Sequence, residues 1–434
     1  MKKISIVTLM AALVLLSGCN KEYSFDNSVD LNVNNSTEMP IKLGANTGST
    51  SAMTRASIES LDEMLGTTDR LGVFCLAGRK TDVKSAQTAN PIDWLVPVYT
   101  DDNADYVDKY GASTNGRYWS NLCCEVQMLD GMHRIVPVQE GANNYKPYYK
   151  YYPITSVYGY DFYSYYPYQG DAAVHYTKDS ICVDMTIGGK QDVLYGKSED
   201  IDDAYVATLT SDYDLQKILK ANYYSARFFR KHPQQIDNAH IKLEHKLARF
   251  RFYVYPGPDY ESSVTPTYSS ATQLCVQEIK VNNVQKDLSL VVAHKNDKKR
   301  NGALYARNNN VADFYLHHKG GALLEDAPVE ISTKEDEYGV TIPDTTQVGD
   351  YIMLLPGKSI HYMSVKLADK ETGYVYPSET DIAISFKNGS NKTFEAGKTY
   401  NVYLQVSSIK NIGLTAELAD WEESGEDMDL VEFN

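Results

Sequence analysis

The sequence predicts an all-β protein built from two β-sandwich domains in tandem, with short helices in the connections. Runs of alternating apolar residues recur along the chain and are separated by turn residues, as expected for many short strands. The chain has 434 residues, which is more than a single hydrophobic core usually serves. Tyrosine is abundant, with 35 residues against 11 phenylalanines, and it favours pleated, half-buried surfaces over helix interiors.

Residues 1–18 predict a lipoprotein signal peptide. Lys2 and Lys3 precede an apolar run over residues 4–16, which is too short to span a bilayer. Small residues then lead to Cys19, as in a bacterial lipobox, where the cysteine is acylated and becomes the first residue of the mature protein. A plain secretory signal with a chance cysteine is the alternative. Asn20-Lys21-Glu22, followed by Asp26 and Asp30, resembles the short charged tag that sends Bacteroidetes lipoproteins to the outer face of the outer membrane. We therefore expect a lipid on Cys19 that anchors the protein there.

The N-terminal half is predicted to hold a tether and the first sandwich. Residues 19–55 are rich in polar residues and form a tether that carries one strand around Met39 to Leu43, and residues 56–236 form the sandwich. Ser57 to Leu65 has the apolar spacing of a helix. Further strands are predicted at Leu71–Leu76, at Phe162–Tyr168 and at Gln191–Gly196.

Residues 237–434 are predicted to form the second sandwich. His240 to Tyr255 gives the clearest strand of the chain, but its apolar positions change parity between Leu247 and Ala248. A strand has a period of two, so we expect an inserted residue, a β-bulge, at that point. Two further alternating runs predict strands at Met363/Val365/Leu367 and at Tyr400/Val402/Leu404/Val406.

Charge and motifs argue against nucleic-acid binding and against the common enzyme classes. The formal net charge is −15, so the chain lacks the basic excess that displaces counterions from phosphates. The sequence contains no Gly-rich phosphate loop, no H-E-x-x-H, no G-x-S-x-G and no dinucleotide-binding fingerprint. We therefore predict a non-enzymatic protein without a cofactor or a metal. A carbohydrate-active enzyme is the alternative, because a glycosidase carboxylate pair has no recognisable spacing in a sequence.

Two polar segments resemble metal sites only superficially. On a strand, His240 and Glu244 face one side and His245 faces the other, so the three cannot bind one ion. The acidic run from Glu199 to Asp203 lacks the ligand order and the central glycine of an EF-hand loop. We interpret the first as a solvated strand face with one inward histidine, and the second as a solvated loop.

Tyrosines and cysteines leave alternatives open. Between Tyr145 and Tyr168 the chain has a dense tyrosine cluster, which is either a stacking platform for sugars or ordinary sheet packing with hydroxyls at the rim. Five cysteines follow Cys19 without a C-x-x-C pair, and we interpret them as mostly buried thiols whose pairing the sequence does not specify. They are Cys75, Cys123, Cys124, Cys182 and Cys275.

Eight short segments together resemble the fimbrillins of Bacteroidales, the subunits of type V pili, and especially their minor-fimbria branch. In chain order they are the lipobox at Cys19, Met53–Ala56, Leu71–Phe74, Phe162–Tyr168, Asp192–Tyr195, Leu243–Arg249, Gly397–Tyr400 and Trp421. The long stretch between Lys197 and Asn238 and the acidic tail after Trp421 depart from the family pattern.

The resemblance implies a fold and a mode of assembly. It implies two transthyretin-like Greek-key sandwiches, export as a lipoprotein, and a cut by a trypsin-like protease between Arg55 and Ala56 that removes the first strand. A terminal strand of another fimbrial subunit, of the same or another kind, then fills the groove by donor-strand exchange. The candidate donor residues of this chain are Ile412, Leu414 and Leu418, or Leu430, Val431 and Phe433 in the tail.

These observations predict that the protein is a structural subunit of a fimbrium, or a fimbrium-associated adhesin, that contacts host or bacterial surface ligands. Two alternatives remain at this point. The chain is an uncleaved anchor that keeps its lipid, as some family members do, or it is a surface glycan-binding lipoprotein that uses the tyrosine cluster.

Overall fold

The computed structural model describes most of the chain from residue 39 onward. The described residues are 39–40, 42–47, 64–65, 68–77, 121–129, 131–138, 151–152, 160–177, 180–199, 224, 239–257, 274–294, 298–339, 341–377, 381–386, 392–408 and 411–419. Within these ranges, no helix is long and apolar enough to cross a membrane. The predicted helix from Ser57 to Leu65 lies outside them except for Met64 and Leu65.

The described part of the chain is all-β, as the sequence predicts. Its strands, numbered in chain order, are β1 (Met39–Pro40), β2 (Leu43–Thr47), β3 (Leu71–Ala77), β4 (Leu122–Leu129), β5 (Met132–Pro137), β6 (Tyr151–Tyr152), β7 (Tyr160–Tyr166), β8 (Val174–Tyr176), β9 (Ser180–Thr186), β10 (Leu194–Lys197), β11 (Ala239–His245), β12 (Ala248–Pro256), β13 (Leu274–Gln285), β14 (Asp287–His294), β15 (Leu304–Ala306), β16 (Val311–Tyr315), β17 (Val329–Glu330), β18 (Thr333–Glu335), β19 (Thr341–Pro343), β20 (Thr346–Leu354), β21 (Ile360–Asp369), β22 (Val375–Pro377), β23 (Ile382–Ser385), β24 (Thr399–Ser408) and β25 (Asn411–Ala419). Short 3-10 helices lie in the connections at Asp171–Ala173, Lys298–Arg300 and Leu324–Asp326.

Seven strands form a closed, barrel-like sheet, called the closed sheet below. The order is β10-β11-β2-β5-β4-β3-β7, and β7 closes it by pairing with β10. All of its pairings are antiparallel except that of β2 with β11, which is parallel. β2, the first of these strands in the chain, therefore pairs with β11, which lies almost 200 residues later in the sequence.

The remaining strands form open sheets. A four-stranded sheet has the order β20-β12-β24-β25, and a six-stranded sheet is centred on β13 and β21. Another four-stranded sheet has the order β15-β14-β9-β8, and two small pairs are β1 with β6 and β18 with β19. Strands from both sides of residue 236 thus share sheets, and the two tandem sandwiches with a boundary at residues 236 and 237 stay a prediction.

One hydrophobic core connects these sheets. It includes Phe74 and Tyr163 from the closed sheet together with Phe250 and Val281 from the open sheets. The ring centroid of Phe250 lies 4.9 Å from that of Phe394, and each ring is fully buried. Aromatic packing of this kind adds to the stabilisation that burial alone provides.

The predicted β-bulge at Leu247 and Ala248 is wrong. The chain leaves the closed sheet at the end of β11 and enters the four-stranded sheet at the start of β12, with Lys246 and Leu247 between the two strands. Each strand keeps its own alternation, and the change of parity marks the change of sheet. Both Leu247 and Ala248 are fully buried, which is why the run looked like one continuous strand.

Candidate strand-exchange groove

Of the predicted first strand, only Leu43 lies in the closed sheet. The sequence predicts one strand around Met39 to Leu43, and the structure divides this region between β1, which pairs with Tyr151 and Tyr152, and β2. β2 lies between β11 and β5 and is paired on both sides. Its removal would open the closed sheet and leave unpaired backbone groups along two facing strands.

Backbone pairing and side-chain burial both hold β2 in the closed sheet. Five residue pairs join it to β11, from Ala239 opposite Leu43 to Leu243 opposite Thr47. Two pairs join it to β5, including Ile135 opposite Leu43. Leu43 is 3% exposed and Ala45 is 7% exposed, so both contribute to the apolar interior.

The residues of β2 are poor strand formers by themselves. Gly44, Ala45 and Asn46 belong to the residue types that are depleted in strands. Strand formation here depends on the two ladders and on the burial of Leu43, which is worth about 1.5–3 kcal/mol. We call the space that β2 fills the groove, with β11 and β5 as its walls.

Gly44 lies at a close approach on the wall formed by β11. It is in register with His240 on β11 and with Arg134 on β5. A Cβ atom at Gly44 would lie 2.7 Å from both Cε1 and Nδ1 of the His240 imidazole. A real Cβ atom does not come that close, so the half-buried imidazole has to shift before a side chain fits at this position of the strand.

One set of candidate donor residues lies on β25, at the edge of the four-stranded sheet. β25 pairs antiparallel with β24, and no second neighbour in that sheet is found within the described part of the chain. Ile412, Leu414 and Leu418 are in register with Val406, Leu404 and Tyr400, three buried residues of β24. The other set, Leu430, Val431 and Phe433, lies outside the described residues, as do Cys19, Arg55 and Ala56.

The part of the tyrosine cluster carried by β7 is buried. Tyr163, Tyr165 and Tyr166 are at most 8% exposed, and the Tyr165 hydroxyl donates to the side-chain oxygen of Asn121 and accepts from the Gln169 N–H. Burial raises the pKa of the Tyr165 phenol. These rings serve sheet packing, and they cannot form the stacking platform for sugars that was one interpretation of the cluster.

The histidines of β11 lie as the strand parity predicts. His240 and Glu244 face outward and His245 faces inward, where its Nδ1 lies 2.6 Å from Oδ2 of Asp192. Asp192 also accepts the Val193 N–H at 2.7 Å. Sequence reasoning missed Asp192 as the partner of His245, because nothing local links two residues that are 53 positions apart. Within the described ranges, no three His, Cys, Asp or Glu residues come together as metal ligands would.

The described cysteines are thiols. Cys75, Cys124 and Cys275 are buried, and Cys123 and Cys182 are half-buried, in agreement with the interpretation as mostly buried thiols. Burial raises the pKa of Cys75 well above its usual value, and the nearby Asp161 adds to the shift. A thiol of raised pKa is a weak nucleophile, which is consistent with a packing role.

Comparison with solved structures finds proteins of cell adhesion and of fimbriae. A protein from Bacteroides uniformis that is assigned to cell adhesion is 13% identical, with a TM-score of 0.42, over 88% of this chain and 99% of its own. The fimbrial anchor protein Mfa2 from Porphyromonas gingivalis is 9% identical, with a TM-score of 0.31, over 90% and 100%. The tip fimbrial protein Mfa3 from Porphyromonas gingivalis is 9% identical, with a TM-score of 0.34, over 88% and 100%.

These neighbours agree with the fimbrillin resemblance of the sequence motifs. No protein-family model and no curated protein sequence matches the chain. Because the TM-scores are below 0.5 and the identities below 25%, the likeness does not by itself assign a ligand, a partner or a place in a fibre.

Proposed function

We propose that this protein is a non-enzymatic structural subunit of a cell-surface fimbrium, assembled by donor-strand exchange after cleavage between Arg55 and Ala56. The observation that carries the proposal is the position of β2, which precedes Arg55 in the chain and is paired on both sides within the closed sheet. A cut at Arg55 would separate β2 from the rest of the chain and allow it to leave.

The energetics favour a replacement strand once β2 has left. The walls β11 and β5 would expose ladder N–H and C=O groups to water, and each hydrogen bond that a replacement strand restores contributes about 0.5–1.5 kcal/mol. The apolar trough under Leu43 and Ala45 would also meet water. A strand from another subunit that restores both ladders binds by β-augmentation, in which backbone pairing supplies affinity and side-chain pockets supply specificity.

Location and maturation complete the proposal. Lipidation of Cys19 would hold the precursor in the outer membrane, and a trypsin-like protease would release the processed subunit for assembly with other fimbrial subunits. Host or bacterial surface ligands are the targets that an adhesive fibre would contact. The two transthyretin-like sandwiches are part of the same proposal.

The N-terminal residue of the protein tests this function. Full-length protein treated with trypsin is expected to yield a stable core that begins at Ala56 and lacks β2, whereas the Arg55→Ala variant should not give this product. N-terminal sequencing and intact-mass measurement identify the product. If the protein recovered from cells never begins at Ala56, the polymerising subunit is the wrong function.

An uncleaved, lipid-anchored base of the fimbrium is the second candidate. The observation in its favour is that β2 completes the closed sheet of its own chain, so an uncut protein already has a closed fold. This candidate predicts a mature protein that begins at the lipidated Cys19. A surface glycan-binding lipoprotein loses its main support, because Tyr163 and Tyr165 are buried.

A further inference from the structure

The close approach of His240 to Gly44 restricts which residue a strand in the groove can carry at this position. It is the position of β2 at which the wall residue His240 occupies the space of a Cβ atom. The imidazole is half-buried and lies against the strand, so any side chain at this position must push it aside. The residues on either side of Gly44 are buried and small or apolar, namely Leu43 and Ala45. The groove therefore selects an apolar residue, then glycine, then an apolar residue.

The same pattern occurs once in the C-terminal part of the chain. Beyond β24 the sequence contains only two glycines, Gly413 and Gly425. Gly413 lies on β25 between Ile412 and Leu414, whereas Gly425 lies between a serine and a glutamate. The tail residues Leu430, Val431 and Phe433 have no glycine among them.

We infer that His240 is a specificity-determining residue that favours glycine at one register position, because any side chain there must displace its imidazole, and that Gly413 of a second copy of this chain occupies this position. The inference rests on the proposed strand exchange and selects β25 over the tail as the donor. In this register Ile412 replaces Leu43, Gly413 replaces Gly44 and Leu414 replaces Ala45.

The edge position of β25 makes it available. Among the described strands it pairs with β24 alone, so its release breaks a single described ladder. Leu414 is larger than Ala45, so in this register the inward side of the groove has to accommodate a longer side chain. The shared feature of the two strands is the glycine, and it fixes the register, since a slip by one residue would bring an apolar side chain against His240.

Assembly of the full-length protein after trypsin treatment tests the inference. The variants are Gly413→Val, Gly413→Val combined with His240→Ala, and the matched control Gly170→Val, which places the same side chain where no atom lies within 4 Å. Polymers are measured by light scattering and by SDS-resistant ladders. Gly413→Val is expected to lower the assembled fraction about tenfold or more, and removal of the imidazole in the double variant should restore it.

The outcomes separate this inference from the proposed function. If wild-type protein never assembles after the cut, strand exchange itself is wrong. If wild type assembles and Gly413→Val assembles equally well, the exchange stands and the glycine requirement is wrong. If the double variant is not restored, His240 is not the residue that selects glycine.

A second measurement does not depend on assembly. In the uncut protein, Gly44→Val is expected to lower the melting temperature, and addition of His240→Ala should recover most of the loss. Equal melting temperatures for wild type and Gly44→Val would overturn the steric basis of the inference even if Gly413→Val failed to fold.

Discussion

Replacement of Leu43 by alanine tests whether β2 is a structural part of the uncut protein. Leu43 is 3% exposed and pairs with the fully buried Ala239 on one side and with Ile135 on the other. Truncation of a buried leucine costs about 2–5 kcal/mol, because the lost burial is added to the cost of the cavity. We expect about 3 kcal/mol here.

The assay is urea unfolding of the full-length protein, followed by circular dichroism. The urea midpoint of Leu43→Ala should fall while the slope stays constant, since the surface exposed on unfolding hardly changes. Tyr338→Ala, at a side chain that is 81% exposed, is the control and should leave the midpoint unchanged. After cleavage at Arg55, the segment that carries β2 should leave the variant roughly a hundredfold faster than wild type, if the whole loss appears in the dissociation rate.

Two results would refute this reasoning. A Leu43→Ala protein with the stability of wild type would mean that β2 adds little to the closed sheet. A segment that leaves at the same rate from variant and wild type would mean that burial of Leu43 does not hold it. Either result would remove the physical basis of the proposed strand exchange.

Three further predictions concern buried contacts elsewhere in the described part of the chain. Gly72→Ala should lower the melting temperature strongly, because its Cβ would lie 2.0 Å from the ring of the fully buried Tyr165; an unchanged melt contradicts this. Burial lowers the pKa of His361 to about 4, so between about pH 6.5 and 4 the unfolded state binds more protons than the folded state. The free energy of unfolding therefore decreases as the pH is lowered through this range. The total loss is about 3 kcal/mol, and urea titrations of His361→Leu should lack this component. Asp192→Ala should cost about 2–4 kcal/mol, because Nδ1 of His245 and a backbone N–H both lose their acceptor, and an unchanged urea midpoint would show that water replaces it.

Local patterns predicted the strands well. The predicted runs from Met363 to Leu367 and from Tyr400 to Val406 lie in β21 and β24, and their apolar residues are buried. The strands at Leu71 and at Phe162 are also confirmed as β3 and β7. Alternation with a period of two depends only on neighbouring residues and is therefore readable from a sequence.

Pairing partners could not be predicted in the same way. The parallel ladder between β2 and β11 joins residues such as Ala45 and Ile241, and no local pattern records it. The sequence left open whether Tyr163 and Tyr165 are buried, because polar hydroxyls normally indicate a face that is open to water. In the structure β7 is packed on both faces, so its polar residues are enclosed together with its apolar ones.

In the proposed assembly the closed sheet and the fibre would use the same groove, and the peptide bond after Arg55 would decide which strand fills it. While that bond is intact, β2 competes as an intramolecular ligand with an effective concentration in the millimolar range or above. A donor strand with equal contacts cannot displace it under those conditions. Once the bond is cut, β2 becomes a separate segment at low concentration, and a donor that buries Ile412 and Leu414 gains the advantage. Cleavage would then act as a thermodynamic switch, and an uncut chain with the same groove would remain a closed anchor.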